Sequence, residues 1–303
     1  MPCALLIYHL IIIISIICIL IAIAYTTLLE RRVLGAAQLR LGPNKPRIIG
    51  ILTPIADAIK LITKIYVVPS HSNKLLFQIA PFFILFLSFI IVTFYPSISY
   101  NINPLSTVIY LLISRLAVYP VLIAGSASNS KYALLGAVRA LAQTISYEVC
   151  ISLVALSALT INLSYSLNSS LEGGYFRGII FPLIFGIWLI TALAETNRTP
   201  FDLVEGESEL VRGYNVEYRG GGFTLIFIAE YTNIVIISIV RVRIWLFCYS
   251  YIFLVGLSIF VILFILIIRA TAPRIRYDQL IYLNWLYILP LVLALFLLLR
   301  VII

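Results

Sequence analysis

Residues 4–29 read ALLIYHLIIIISIICILIAIAYTTLL, a run without a single Asp, Glu, Lys or Arg. An α-helix rises ~1.5 Å per residue and the hydrocarbon core of a bilayer is ~30 Å thick, so roughly 20 such residues cross it. The run therefore predicts a membrane-spanning helix. No basic segment precedes it and no small-residue cleavage pattern closes it, so it reads as a retained helix rather than a cleaved signal. The same pattern recurs at 75–97, 104–125, 138–163, 177–197, 222–242, 244–268 and 281–303. The expected fold is an all-α polytopic membrane protein of about eight transmembrane helices, forming a single membrane domain over residues 1–303. Composition agrees: 62% of residues are apolar and 11% charged, against roughly half and a quarter in soluble domains, and mean hydropathy is +1.11.

The formal charge of +9 does not indicate nucleic acid, because the basic residues fall between apolar runs rather than in one stripe. Numbering the connections, 16 of the 21 basic residues belong to those after the first, third, fifth and seventh spans. The positive-inside rule then places these connections on the cytoplasmic or matrix side and both termini opposite. Two connections are long. In the first, 30–74, Gly42, Pro43, Pro46 and Gly50 interrupt helix. Beyond Thr53-Pro54, Ile55, Ala58, Ile59, Ile62 and Ile65 recur at helical spacing with Asp57, Lys60 and Lys64 on other faces, which predicts an interfacial amphipathic helix. It serves either as a membrane-surface anchor or as one wall of a lipid-accessible site. In the second, 195–221, Thr199-Pro200-Phe201-Asp202 has the form of a helix start, so a short loop helix is expected from there to Gly213.

Several classes of chemistry are disfavoured. Cys3, Cys18, Cys150 and Cys248 show no C-x-x-C spacing, and His9 and His71 are too few to hold paired haems. There is no G-x-S-x-G, and Gly220-Gly221-Gly222 lacks the phosphate-loop frame. The carboxylates carry the main signal. Eleven of the twelve lie in or beside the odd-numbered connections, with Glu195, Asp202, Glu205, Glu207, Glu209 and Glu217 crowding one of them. Glu148 and Glu230 fall inside predicted spans, where an ionised carboxylate is costly unless paired or hydrated. The acids either pair with Arg139, Arg198, Arg212 and Arg219 to hold the loops, or exchange protons along a series. For Glu148 and Glu230 no basic partner lies one turn away, which favours proton exchange.

Four segments, in order, resemble one family: ERRVLGAAQLRLGPNKP (30–46) with PIADAIKL (54–61), ASNSKYALLGAVRALAQTISYEV (127–149), ETNRTPFDLVEGESELVRGYNVEY (195–218), and AEYTN (229–233) with PRIRYDQL (273–280). The sequence is similar to subunit 1 of respiratory complex I, of the mitochondrial type. The resemblance implies a subunit of a proton-translocating NADH:ubiquinone reductase in the mitochondrial inner membrane. The subunit would bind no redox cofactor itself: ubiquinone is the substrate, while NADH, FMN and iron–sulfur clusters belong to partner subunits. It implies hydrophilic quinone-site subunits and small membrane subunits as neighbours, and lipids around them. Arg31, Arg40, Asp57, Phe223 and Phe227 are then expected along the quinone passage, framed by the first span, the interfacial helix and the sixth span. Glu148, Glu195, Asp202, Glu205, Glu207, Glu209, Glu217 and Glu230 match the family's proton-coupling acids. Arg139, Gln143, Arg198, Arg274, Arg276 and Asp278 are expected to support them.

Some positions depart from the family pattern. Arg115 lies in a span and needs a carboxylate, water or headgroup as partner. Ile65 stands where an acid is frequent. Arg241 and Arg243 are expected either to shorten the sixth span or to bind a headgroup, accessory protein or anionic lipid on the outer side. The competing function is an ion or solute carrier, against which the long one-sided loops and the lack of an evident internal repeat count. A purely structural anchor is the third reading.

Overall fold

The computed structural model describes residues 2–45, 50–93, 105–162, 182–202, 213–245 and 251–302. Its helices are α1 (Pro2–Ala37), α2 (Thr53–Ile62), α3 (Lys74–Thr93), α4 (Ser106–Leu116), α5 (Val118–Ala127), α6 (Lys131–Asn162), α7 (Pro182–Glu195), α8 (Gly221–Trp245), α9 (Tyr251–Thr271), α10 (Tyr277–Tyr282) and α11 (Leu289–Ile302). Among the described residues there is no strand. Seven helical segments are long and apolar enough to cross a bilayer, and α7 is a shorter apolar helix at the fifth predicted span. All eight predicted spans thus correspond to helix, and the protein is a polytopic α-helical membrane protein.

Their ends depart from the sequence reading where charge was taken as a boundary. α1 runs on through Glu30-Arg31-Arg32 to Ala37, because Glu30 is only 5% exposed and finds its partners inside the protein. α8 runs through Arg241 and Arg243 to Trp245, all three buried. The expectations that these arginines shorten the sixth span or reach an outer headgroup are both overturned, since they face protein. The third predicted span is two helices, α4 and α5, with the break at Ala117. Pro120 lacks an amide and its ring crowds the carbonyl four residues back, that of Leu116. A π-helical turn, Leu283–Ile288, joins α10 to α11 just ahead of Pro290. The wider turn relieves the same crowding.

α8 is the central column, packed against α3, α9 and α1, while α6 holds α5, α7 and α11. A large buried cluster includes Tyr147, Val154, Trp188, Val235 and Trp245, and a smaller one includes Phe77, Ala80, Ala137, Tyr218 and Ile226. Between α5 and α6 the backbones approach closely: a Cβ on Gly125 would come within 2.3 Å of that of Ala137. Small residues at a contact are how membrane helices gain packing where lipid is as apolar as leucine. Outward, Ile13, Ile17 and Ile21 of α1, Phe260 of α9 and Leu297 of α11 stay exposed, the face a bilayer covers.

Candidate functional site: a chamber and the acids behind it

α1, α2 and the first half of α8 enclose a cavity of about 1610 Å³. Leu20, Ile23, Phe82, Leu225 and Ile228 give it apolar walls, and Arg31, Asp57, Lys60, Asp202, Asn215 and Arg274 give it polar ends. Small-molecule sites more commonly run to ~300–1,000 Å³, so this one has room for a long amphiphile. α2 has no buried residue and leaves Ile55, Ile59 and Ile62 exposed, while Asp57, Ala58 and Leu61 line the cavity. Ile62 is both exposed and on the lining, and α2 forms one wall of the cavity. Ile65 lies past its end and is exposed. Gly220 closes the corner. Its φ of +55° is a left-handed conformation that a side chain resists, and a Cβ there would stand 2.8 Å from the Lys64 carbonyl oxygen. Gly220 and Gly222 thus serve tight packing of the α8 start, against Lys64 and against Tyr66 and Tyr218, while Gly221 has open space around it. Burial raises the Tyr66 phenol above its ordinary pKa, so at neutral pH it remains a hydrogen-bond donor at the cavity wall.

Of the expected passage residues, Arg31 and Asp57 line the cavity and pair at 2.6 Å. Phe223 and Phe227 line it as a stacked pair with centroids 5.9 Å apart, and Phe227 packs on Tyr231 at 4.6 Å. Arg40 is exposed and stands outside the lining set; its amide donates to the Gly35 carbonyl at 2.9 Å in the turn that ends α1.

The acids divide. Glu148, Glu195 and Glu230 line one internal cavity of about 110 Å³, together with Tyr110, Ser114, Thr144, Tyr147, Tyr214 and Asn233. At roughly 30 Å³ per molecule, it has room for a few waters. Tyr214 donates to Glu230 at 2.8 Å. Asn215, the next residue, lines the large cavity, so the pair Tyr214–Asn215 forms part of the wall between the two spaces. Asp202 lies on the large cavity and Glu217 on neither. Glu205, Glu207 and Glu209 lie outside the described residues. Phe201 closes a turn by donating its amide to Arg198 at 2.9 Å, and residues 199–202 are not helical, so the expected loop helix does not begin at Thr199-Pro200. Its remaining positions lie outside the described residues.

Among the supporting residues, Gln143 is fully buried and donates to the carbonyls of Ala194 and Phe201 at 3.0 and 2.9 Å. It ties the end of α7, and so Glu195, to α6. Arg139 lies over the Tyr277 ring at 5.9 Å. Arg274 lines the large cavity. Arg276 caps α10, and Asp278 sits in that helix's first turn, where the helix dipole favours an acid. Arg198 is 3.7 Å from Glu30 and 4.7 Å from the Tyr231 ring.

Glu30 is the residue the sequence reading missed. Its Oε1 contacts Arg269 and Arg198, and its Oε2 accepts from the Tyr231 hydroxyl at 2.5 Å. Four elements meet on one buried carboxylate: α1, α8, α9 and the segment after α7. Arg115, expected to need a counter-charge, lies 4.0 Å from Glu148, and Arg241 lies 4.0 Å from Glu195. No spacing signal reveals such pairs, since the partners belong to different helices.

Residues 10–300 match the family model described as NADH dehydrogenase. The chain is 47% identical over 281 residues to the NADH-ubiquinone oxidoreductase chain 1 of Aedes aegypti, covering 91% of this chain and 89% of the relative. To the protein of the same name from Anopheles gambiae it is 47% identical over 283 residues, with the same coverage. To that from Euphractus sexcinctus it is 46% identical over 289 residues, covering 91% of each. The chain belongs to the NADH dehydrogenase family, together with the chain 1 subunits of NADH-ubiquinone oxidoreductase.

Proposed function

We propose that this chain, as the chain 1 subunit of the NADH:ubiquinone reductase complex, forms the membrane part of the chamber in which ubiquinone is reduced, and begins the acidic path that couples reduction to proton translocation. The observation that carries this is the juxtaposition of a large amphiphilic cavity with a small cavity lined by three carboxylates, with the consecutive residues Tyr214 and Asn215 on the two linings and Tyr214 hydrogen-bonded to Glu230. The isoprenoid tail lies along the apolar walls and past the stacked Phe223 and Phe227, and the headgroup takes the polar end near Asp202, Asn215 and Arg274.

Reduction of a quinone takes up two electrons and two protons to give the quinol. Electrons come from an iron–sulfur cluster in a hydrophilic partner subunit, and NADH and FMN lie further off in other partners. Negative charge arriving in a low-dielectric space interacts strongly with acids nearby. Tyr214 and Asn215 stand where that charge is felt on one side and Glu230 held on the other, and water between Glu230, Glu195 and Glu148 gives the proton a route onward. The complex sits in the mitochondrial inner membrane, with the termini of this single membrane domain toward the intermembrane space and the 30–74 and 195–221 connections toward the matrix, where the hydrophilic subunits dock.

Photolabelling of the intact complex with a quinone analogue tests the chamber. Label on α1, α2 and α8 is expected. Label confined to partner subunits would leave this chain an anchor, and a stable lone protein with transport activity would return the carrier reading.

A further inference from the structure

Two arginines in the spans are not explained by the chamber. Arg241 is 3% exposed on α8, and its Nη2 lies 4.0 Å from a Glu195 carboxylate oxygen. Arg115 of α4, half-exposed, brings its Nε to 4.0 Å from Glu148. Tyr110, Glu195 and Arg241 also line a void of about 20 Å³ beside the carboxylate cavity. Neither Arg241 terminal nitrogen has a direct hydrogen-bond partner among the described residues, so Glu195 and the Trp188 ring, 5.8 Å away, are the groups that offset its burial. An unopposed guanidinium inside a membrane bundle is costly, and so is an unopposed carboxylate. Each is therefore what permits the other to be buried in ionised form. The geometry of the two helices brings them together: long helical side chains lean toward the N-terminus of their own helix. On α7, which ends at the loop, and on α8, which starts from it, these leans converge.

We propose that Arg241 is a positioning residue for the proton-handling acids, a fixed counter-cation that holds Glu195 as a carboxylate aimed into the small cavity, with Arg115 doing the same for Glu148 from α4. The inference rests on the reading of that cavity as part of the proton path. Among the described residues, the charged and titratable groups facing Glu195 and Glu148 are Arg241, Arg115, Tyr110, Tyr147, Tyr214, Glu230 and each other. In this arrangement Glu230 takes hydrogen bonds from Tyr214 and Asn215 and is opposed by the Arg198 guanidinium, and the two acids beyond it are each faced by a guanidinium of their own. A proton passed from Glu230 then meets acids whose ionised form a guanidinium favours.

The test uses the assembled complex in proteoliposomes, reading the pH profile of proton-coupled quinone reduction. Removing an opposite charge ~4–6 Å from an acid favours its protonated form, by about one pH unit or more. Arg241→Gln should therefore move the profile toward alkaline pH by about that much, and Arg241→Lys, which keeps the charge, should leave it nearly in place. Arg115→Gln should move it in the same direction by less, because Arg115 is itself half-exposed and its charge better screened than that of Arg241. Arg241→Gln added to Glu195→Gln should produce no further movement. An Arg241→Gln complex with an unshifted profile overturns the proposal. Should Arg241→Gln fail to assemble, the double variant decides: assembly on removal of both charges supports the proposal, and failure there means that shape rather than charge is required, which also overturns it. Normal pumping in Glu195→Gln and Glu148→Gln alike would instead sink the proton-path reading beneath it.

Discussion

The two cavities differ more than tenfold in volume, about 1610 against 110 Å³, and they differ in where their charges are held. The large one has apolar walls and charged rims, and its ionic contact, Arg31 with Asp57, is about half-exposed on both sides. The small one also has apolar walls, into which carboxylates, phenols, hydroxyls and the amides of Asn197 and Asn233 are set, and its buried ions are opposed across helices. The first has room for a long amphiphile; the second has room for a few waters. Tyr214 and Asn215 form part of the wall between them, and the Tyr214 hydroxyl donates to Glu230 on the small-cavity side.

The comparison breaks most severely at Glu30, which anchors the frame of both cavities. Glu30→Gln leaves Arg198 and Arg269 facing a neutral amide, and loss of one side of a buried ion pair costs about 3–5 kcal/mol. We expect a sharp fall in assembled complex, read by native electrophoresis. Wild-type assembly would show that the hub is dispensable.

Gly220→Val comes next, placing a branched side chain at φ +55° against the Lys64 carbonyl. Strain of about 1–3 kcal/mol should push α8 from the segment after α2 and raise the quinone KM severalfold with assembly retained. An unchanged KM would mean that this corner does not shape the chamber.

Glu148→Gln keeps the shape and removes the charge. It should lower the proton-to-electron ratio more than it lowers assembly, because it touches the small cavity alone. Phe227→Ala should do the converse, raising quinone KM through loss of aromatic contact worth about 0.5–1.5 kcal/mol while the proton-to-electron ratio holds. If the two variants gave the same phenotype, the division of labour between the cavities would be wrong. The smallest effect belongs to Asp57→Asn. Exposed ion pairs contribute about 0.2–1 kcal/mol, so thermal stability should barely move, and a large loss would make α2 a structural rather than a lining element.

The elements around the large cavity were legible in the sequence through the loop motifs that carry the family resemblance, while the amphipathic periodicity at 55–65 left open whether its helix anchors or lines. The small cavity was legible only by half. Glu148 and Glu230 stood out as charges inside apolar runs, yet their surroundings come from helices distant in the chain. Glu30 read as the start of a loop because charge is a fair marker of a helix leaving the membrane. Here the carboxylate is satisfied internally and the helix simply continues. Arg241 and Arg243 misled for the same reason. The break at Ala117 had a visible cause in Pro120, which a count of apolar residues overlooks.

The claim on which the rest depends is that quinone reduction is felt by the carboxylates of the small cavity. Redox-triggered infrared difference spectroscopy of the intact complex measures it directly. A carboxyl C=O band should appear or shift when quinone is reduced, and should be altered by Glu230→Gln and by Glu148→Gln. A spectrum indistinguishable from wild type in both variants would contradict the account.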